Sequence, residues 1–258
     1  MALLEDLLQR LEHGRILKVL VGLHWTAVVA EREGERCCGL SSTLTSAHEY
    51  HGIADVPGAG ALVTIPAHEL AAFAHDSARP IQASIGVAAI NALLPKLTDD
   101  TCVEANAEQV IVKHGEGKTV AIVGDFPFMS RLRSQVKELF ILDHRPREGI
   151  MPAEAAPDIL PRAEFVAITG MAFVNHSLEA LLSLCADDAL VMVLGPSTPL
   201  SPILFDHGVD FISGSQVVRI NPVLEAISQG ANFRQVHRAG VRLVTAERGA
   251  FAQASSDP

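Results

Sequence analysis

The chain has 258 residues, 48% of them hydrophobic and 19% charged, which describes a globular protein with one large core or two modest ones and excludes extended disorder. Its 30 acidic against 20 basic residues give a formal net charge of -10, which argues against a footprint for nucleic acid or for an anionic membrane surface. A small molecule or another protein is the partner class that remains, with a homodimer as the default assembly.

The opening "MALLEDLLQRLEHG" carries Glu5 and Asp6 where a secretory signal has basic residues, and charges break its apolar positions at every turn. It predicts an amphipathic helix ended by Gly14. No apolar stretch reaches the roughly 18 residues that cross a bilayer, so the expectation is a cytoplasmic protein with its four cysteines reduced. Next, "RILKVLVGLHWTAVVAEREGERCCGLSSTL" is rich in Val, Leu and Thr around the polar turn "EREGE", the pattern of an antiparallel hairpin or meander. "IPAHELAAFAHDS" and "PIQASIGVAAINALLPKL" then change to helical spacing. Strands followed by helices predict a small α+β unit over residues 1–112, with "KHGEGK" as the joint to a second unit, 113–258.

From Lys118 the grammar alternates. "TVAIVG", "LFILD", "FVAITG", "ALVMVLG" and "VDFISG" are short apolar strands, and "PFMSRLRSQVKE", "PDILP", "NHSLEALLSLC" and "SPILFDHG" are helices or helical turns between them. Continuous apolar strands separated by helices predict a doubly wound parallel sheet covered on both faces. Ligands bind such sheets beyond the carboxyl ends of the strands, where the strand order reverses.

The residues that follow the strands are therefore the candidates. Gly124, Phe126 and Pro127 follow the first, where the absence of G-x-G-x-x-G argues against ordinary dinucleotide binding. Asp143 lies 19 positions after Gly124, a spacing that suits either a ribose contact or a capping carboxylate beside Arg145. Thr169, Gly170 and Asn175 follow the third strand, Asn175 serving as a helix cap or as part of a polar floor. Gly195, Pro196, Ser197, Thr198 and Pro199 follow the fourth, and Gly214 with Ser215 the fifth. In the first unit, Asn91 is a lone polar residue in the apolar run "VAAINALL", which requires a buried partner: it either ties the units together or points into the site.

The stretches "VGDFPF", "AITGMAFVN", "LGPSTPLSP", "LFDHGVDFISG", "GLHWTAV", "CGLSST" and "IGVAAINALL" resemble, in order from about Leu17 to Ala231, the putative heavy-metal chelation family. That resemblance implies an enolase N-terminal-like domain followed by a Rossmann-like domain, with a site in the cleft between them. It also implies condensation or hydrolysis of small molecules in chelator, pterin, flavin or siderophore-like metabolism. Carried over by motif, the matching positions are Ser41, Ser42, Asn91, Gly124, Phe126, Pro127, Thr169, Asn175 and Gly195 through Pro199.

A protein-held metal finds little support. His48, Glu49 and His51 have i, i+3 spacing instead of H-E-x-x-H, and Cys37 and Cys38 are neighbours on a strand, whose side chains point to opposite faces. Ser197 and Thr198 lie at a strand-to-helix transition without the nucleophile elbow, and His176 or His207 is the base they would need. Binding of a carboxylate, phosphate or carbonyl is the better expectation for those hydroxyls. Three functions stay open: a small-molecule enzyme of chelator metabolism, a nucleotide- or S-adenosylmethionine-binding protein, and a non-catalytic metal-handling protein.

Overall fold

The computed structural model describes residues 2–45, 54–249 and 251. Helix α1 (Ala2–Gln9) buries Leu3, Leu4 and Leu7 and ends one turn earlier than the sequence suggests. Strands β1 (Arg15–Val21), β2 (Trp25–Arg32) and β3 (Glu35–Ser42) form an antiparallel sheet in the order β1-β2-β3. The β2–β3 connection is the expected tight turn: Arg32 faces Glu35, and Glu33 and Gly34 take φ of 51° and 80°, as a two-residue primed hairpin turn requires. Helices α2 (Ala67–Ala72) and α3 (Pro80–Leu93) follow. Pro80 starts α3 where its missing N–H costs nothing. The helix buries 11 of its 14 residues, so it lies between two layers and cannot be a surface cover.

The second unit begins with α4 (Ala107–Gly115) and continues through β4 (Thr119–Val123), α5 (Met129–Leu132), β5 (Glu138–Asp143), β6 (Met151–Pro152) and α6 (Ala156–Ile159). Strand β7 (Phe165–Thr169), helices α7 (Met171–Val174) and α8 (Leu178–Leu182), strand β8 (Leu190–Leu194), α9 (Ile203–Asp206) and β9 (Phe211–Val217) come next. The chain then runs through α10 (Ile220–Ser228) and α11 (Phe233–Gly240) to β10 (Val241–Glu247). The seven-stranded sheet has the order β10-β9-β8-β7-β4-β5-β6, parallel except for β10, which pairs antiparallel with β9. The strand order reverses between β4 and β7, as in a doubly wound sheet. The mixed α/β class expected from the sequence is thus the class observed.

Alternation along the buried strands sorts their side chains to two faces. Val120, Ile122, Phe165 and Met192 pack with Ile111 of α4 and Leu132 of α5. Ala121, Val166, Ile168 and Val193 join Ile85, Ala89 and Leu93 of α3 in a core continuous with the first unit. Helix α4 sends its apolar face, Ala107 and Ile111, into the core around β4 and β7.

Sequence reasoning stopped at β9 and missed the elements that follow it, as it missed α4 and β6. Helices α10 and α11, inserted between β9 and β10, pack Val223, Ile227 and Val236 on Ala27, Val29 and Leu40, the outer face of the small sheet. The only tryptophan, Trp25, lies there with its ring 5.3 Å from that of Phe233. A shorter difference is the helix expected over 127–138, which stops at Leu132. Ser134 and Gln135 turn their side chains back onto the Arg131 carbonyl at 3.3 and 3.1 Å, and local bonds of that kind compete with the helical ladder. No helix among the described residues is long and apolar enough to cross a membrane.

Candidate functional site

Strand β3 is an edge of the small sheet, and an edge strand has backbone donors that its own sheet does not use. One of these, the Ser42 N–H, donates to Ser197 Oγ of the second unit at 2.8 Å, and Ser197 Oγ in turn donates to Ser42 Oγ at 3.2 Å. From α3, Asn91 Nδ2 donates to Leu40 O at 2.8 Å and to Ser197 O at 3.4 Å. Asn91 thus ties β3 to the loop after β8. Asn91 also lines the cavity described below.

That loop is fixed by its own sequence. Gly195 leaves β8 at φ 115°, Thr198 N donates to Gly195 O at 3.0 Å, and Pro196 occupies the second position of the resulting turn, where its fixed φ is favoured. Ser197, Thr198 and Pro199 are buried. The turn sits directly over Gly170: a Cβ there would lie 2.5 Å from Thr198 Oγ1, so only glycine admits the contact. Gly214 of β9 lies against Leu200 and the Thr198 carbonyl in the same way.

Beside this junction is a cavity of about 450 Å³. On the first unit it is lined by Arg32, Arg36, Cys37 and Cys38 of the hairpin, and by Asn91, Ala92 and the segment through Leu97. On the second it is lined by Thr198 and Leu200, by Ser215 to Val218, and by Arg242 of β10. Six buried side-chain polar atoms lack a hydrogen-bond partner among the described residues, and four of them belong to residues of this lining: Asn91 Oδ1, Thr198 Oγ1, Ser215 Oγ and Arg242 Nε. Unpaired buried polar atoms each cost about 1–3 kcal/mol, so four at one place mark it as a site for polar contacts. Arg32, Arg36, Lys96 and Arg242 give the lining four cations, while among the described residues it has no carboxylate. Three of these cations have acidic partners outside the lining: Glu12 pairs with Arg32, Glu35 with Lys96 at 2.9 Å, and Asp99 with Arg242 at 3.1 Å.

The remaining sequence candidates lie elsewhere. At the tip of β4, Gly124 takes φ 118° and packs on the Thr169 side chain, and Phe126, ahead of Pro127, stacks on Phe128 with centroids 5.3 Å apart. Asp143 Oδ1 accepts from the backbone Arg145 N at 2.8 Å, a local turn after β5. Asn175 Oδ1 accepts from Ser177 N and Ser177 Oγ at 3.1 and 2.6 Å. Ser41 is fully buried, and its Oγ donates to the neighbouring carbonyl of Ser42 at 3.2 Å. The two histidines considered as bases are engaged away from the hydroxyls: His176 Nε2 lies 2.7 Å from Ala74 O, and His207 Nε2 lies 2.8 Å from Asp6 Oδ2. The structure therefore brings Ser42, Asn91, Ser197, Thr198 and Gly214 together around one junction, and leaves Gly124, Asp143 and Asn175 apart from the cavity.

Heavy-metal ligation by the protein was tested on the donors present. Among the described residues no group of three His, Cys, Asp or Glu side chains could hold a metal ion. Burial, and then the neighbouring Cys37, push the Cys38 thiol up to about 12, which disfavours the thiolate that would bind a metal. Burial likewise pushes Cys185 up to about 11 and raises Cys102. The described donor set does not fit a resident heavy metal. His48, Glu49 and His51 lie outside the described residues.

Two family profiles match the chain, DUF4213 over residues 4–94 and DUF364 over residues 106–245, and both carry the description "Putative heavy-metal chelation". An uncharacterised protein of Methanocaldococcus jannaschii is 22% identical over 219 residues, covering 83% of each chain. Two solved structures of the DUF364 family, each described as of unknown function, share the fold. The protein from Desulfitobacterium hafniense has a TM-score of 0.79 at 24% identity, and that from Pyrococcus horikoshii 0.79 at 21%. Each match covers 95% of this chain and 98% of the other.

Proposed function

We propose, for a chain that belongs to the putative heavy-metal chelation family, that the cavity between β3, α3 and β9 binds a small polar molecule of chelator metabolism. On this reading the metal-binding atoms belong to that molecule, as substrate or product, and not to the protein. The observation that carries the reading is that four residues of one lining, Asn91, Thr198, Ser215 and Arg242, each hold a buried polar atom without a partner among the described residues. The absence of a metal-ligating cluster among the described residues agrees with it. Condensation or hydrolysis is the chemistry such a site would host. Ser197 is not offered as its nucleophile, because its hydroxyl is engaged by Ser42.

The test is to compare small molecules released on denaturing purified wild type and a Val218→Trp variant, by mass spectrometry. Val218 is 62% exposed and lines the cavity, so an indole there narrows the mouth without disturbing a packed core. A polar compound released by the wild type and missing from the variant is expected. Identical profiles from the two proteins would count against the site.

A further inference from the structure

We infer that the molecule held in this cavity is an organic anion that also carries a hydrogen-bond donor, a hydroxy- or aminocarboxylate. The inference rests on the site proposed above and is drawn from the polarity of its lining. The orientation of the Asn91 amide is settled by its neighbours. Leu40 O and Ser197 O are both acceptors, so the group facing them is the NH2, and Oδ1 is the atom left unpaired. An unpaired amide oxygen can be satisfied only by a donor. Arg242 presents the opposite demand. Its Nη2 is bonded to Asp99 Oδ1 and to Gln216 Oε1 at 3.1 and 3.0 Å, which leaves the buried Nε–H for an acceptor. The hydroxyls of Thr198 and Ser215 suit either role.

Charge selects among molecules with both kinds of group. The lining holds four cations and no carboxylate among the described residues, in a chain of 20 basic and 30 acidic residues. Three of the four are offset by carboxylates outside the lining. The attraction for an anion therefore rests on Arg36 and on the unused Nε–H of Arg242, and guanidinium groups match carboxylates in geometry as well as charge. A cavity near 450 Å³ lies within the range of small-molecule sites. A carboxylate with a hydroxyl or amine a few bonds away is also an arrangement that chelates metals through oxygen and nitrogen. That agrees with the description of the family.

Two matched pairs of probes test this by calorimetry on the full chain at fixed ionic strength in metal-depleted buffer. Citrate differs from tricarballylate by one hydroxyl, and iminodiacetate differs from glutarate by an amine in place of a methylene. In at least one pair the member with the donor is expected to bind about tenfold more tightly, the worth of one hydrogen bond in a buried site. Arg242→Gln and, independently, Arg36→Gln are expected to weaken it. Arg36 is exposed, so its replacement leaves the fold intact if Arg242→Gln does not. Equal affinity within both pairs, or no binding of any of the four acids at 10 mM (roughly the weakest useful range, a few kcal/mol), overturns the inference.

myo-Inositol separates this failure from failure of the site. If it binds in the wild type, is excluded by Val218→Trp and is indifferent to both arginine variants, the cavity stands and the anion does not. If acid binding is unchanged in Val218→Trp and in both arginine variants, the acids bind elsewhere and both readings fall.

Discussion

Ser197 and Thr198 are adjacent, both buried, and differ in what their hydroxyls do. Ser197 Oγ accepts the Ser42 N–H, whereas Thr198 Oγ1 has no partner among the described residues. Opposite effects on stability follow. Ser197→Ala leaves the half-buried Ser42 N–H without its partner and should lower stability by about 1 kcal/mol. Thr198→Val removes an unpaired hydroxyl and should raise the stability of the ligand-free protein by roughly 1 kcal/mol while weakening ligand binding. Urea midpoints at constant slope measure both; a loss of stability in Thr198→Val would show that the hydroxyl has a partner. His114 supplies a pH dependence. Burial, and then Lys113, lower its pKa from the ordinary 6.5, and its ring lies 4.7 Å from that of Phe211. The folded state then binds fewer protons than the unfolded chain, so the contribution is flat above pH 6.5 and stability falls as pH drops from there through the lowered value. His114→Gln should show a shallower decline of the urea midpoint between pH 7 and 5.5 than the wild type.

At the scale of elements, the pair α10–α11 matters most for the small sheet. Ile227 is 1% exposed among Ala27, Val29 and Leu40, and Ile227→Ala should cost about 2–4 kcal/mol, with a matching change in Trp25 fluorescence as the cover loosens. Asn232 and Gln235 form a reciprocal capping box that holds the start of α11. Neither helix was legible in the sequence, for physical reasons. Pro222 resembles a breaker but falls in the first turn of α10, where backbone donors are free in any case, and α11 buries only Val236 and Gly240. The parallel strands were legible because burial on both faces requires the unbroken apolar runs seen in "TVAIV" and "LVMVL". Asn91 and the turn at 195–199 could be found too, as polar groups out of keeping with apolar surroundings. The cations of the cavity could not. Arg32, Arg36, Lys96 and Arg242 come from β2, β3, the segment after α3 and β10, and only the folded chain makes them neighbours.

Across the whole molecule the core does not divide where the two sheets do. One apolar cluster runs from Leu3, Leu70 and Ile85 to Val166, Val193 and Ile212. Such continuity predicts a single cooperative unfolding transition. Trp25 is the only tryptophan and reports on the small sheet and α11, while far-ultraviolet circular dichroism reports on all helices and strands. The two denaturation curves should coincide. An earlier fluorescence transition would mean that the small sheet opens independently.

The placement of α10 and α11 on the outer face of the small sheet also fixes an order of events on the ribosome. Residues through Ser42 are made early, but the helices that cover Ala27, Val29 and Leu40 begin at Ile220. At about 5–20 residues per second, the nascent sheet waits on the order of 10 to 40 s with that face bare. For that interval the emerging chain offers an apolar patch of strands to any chaperone stationed at the tunnel exit.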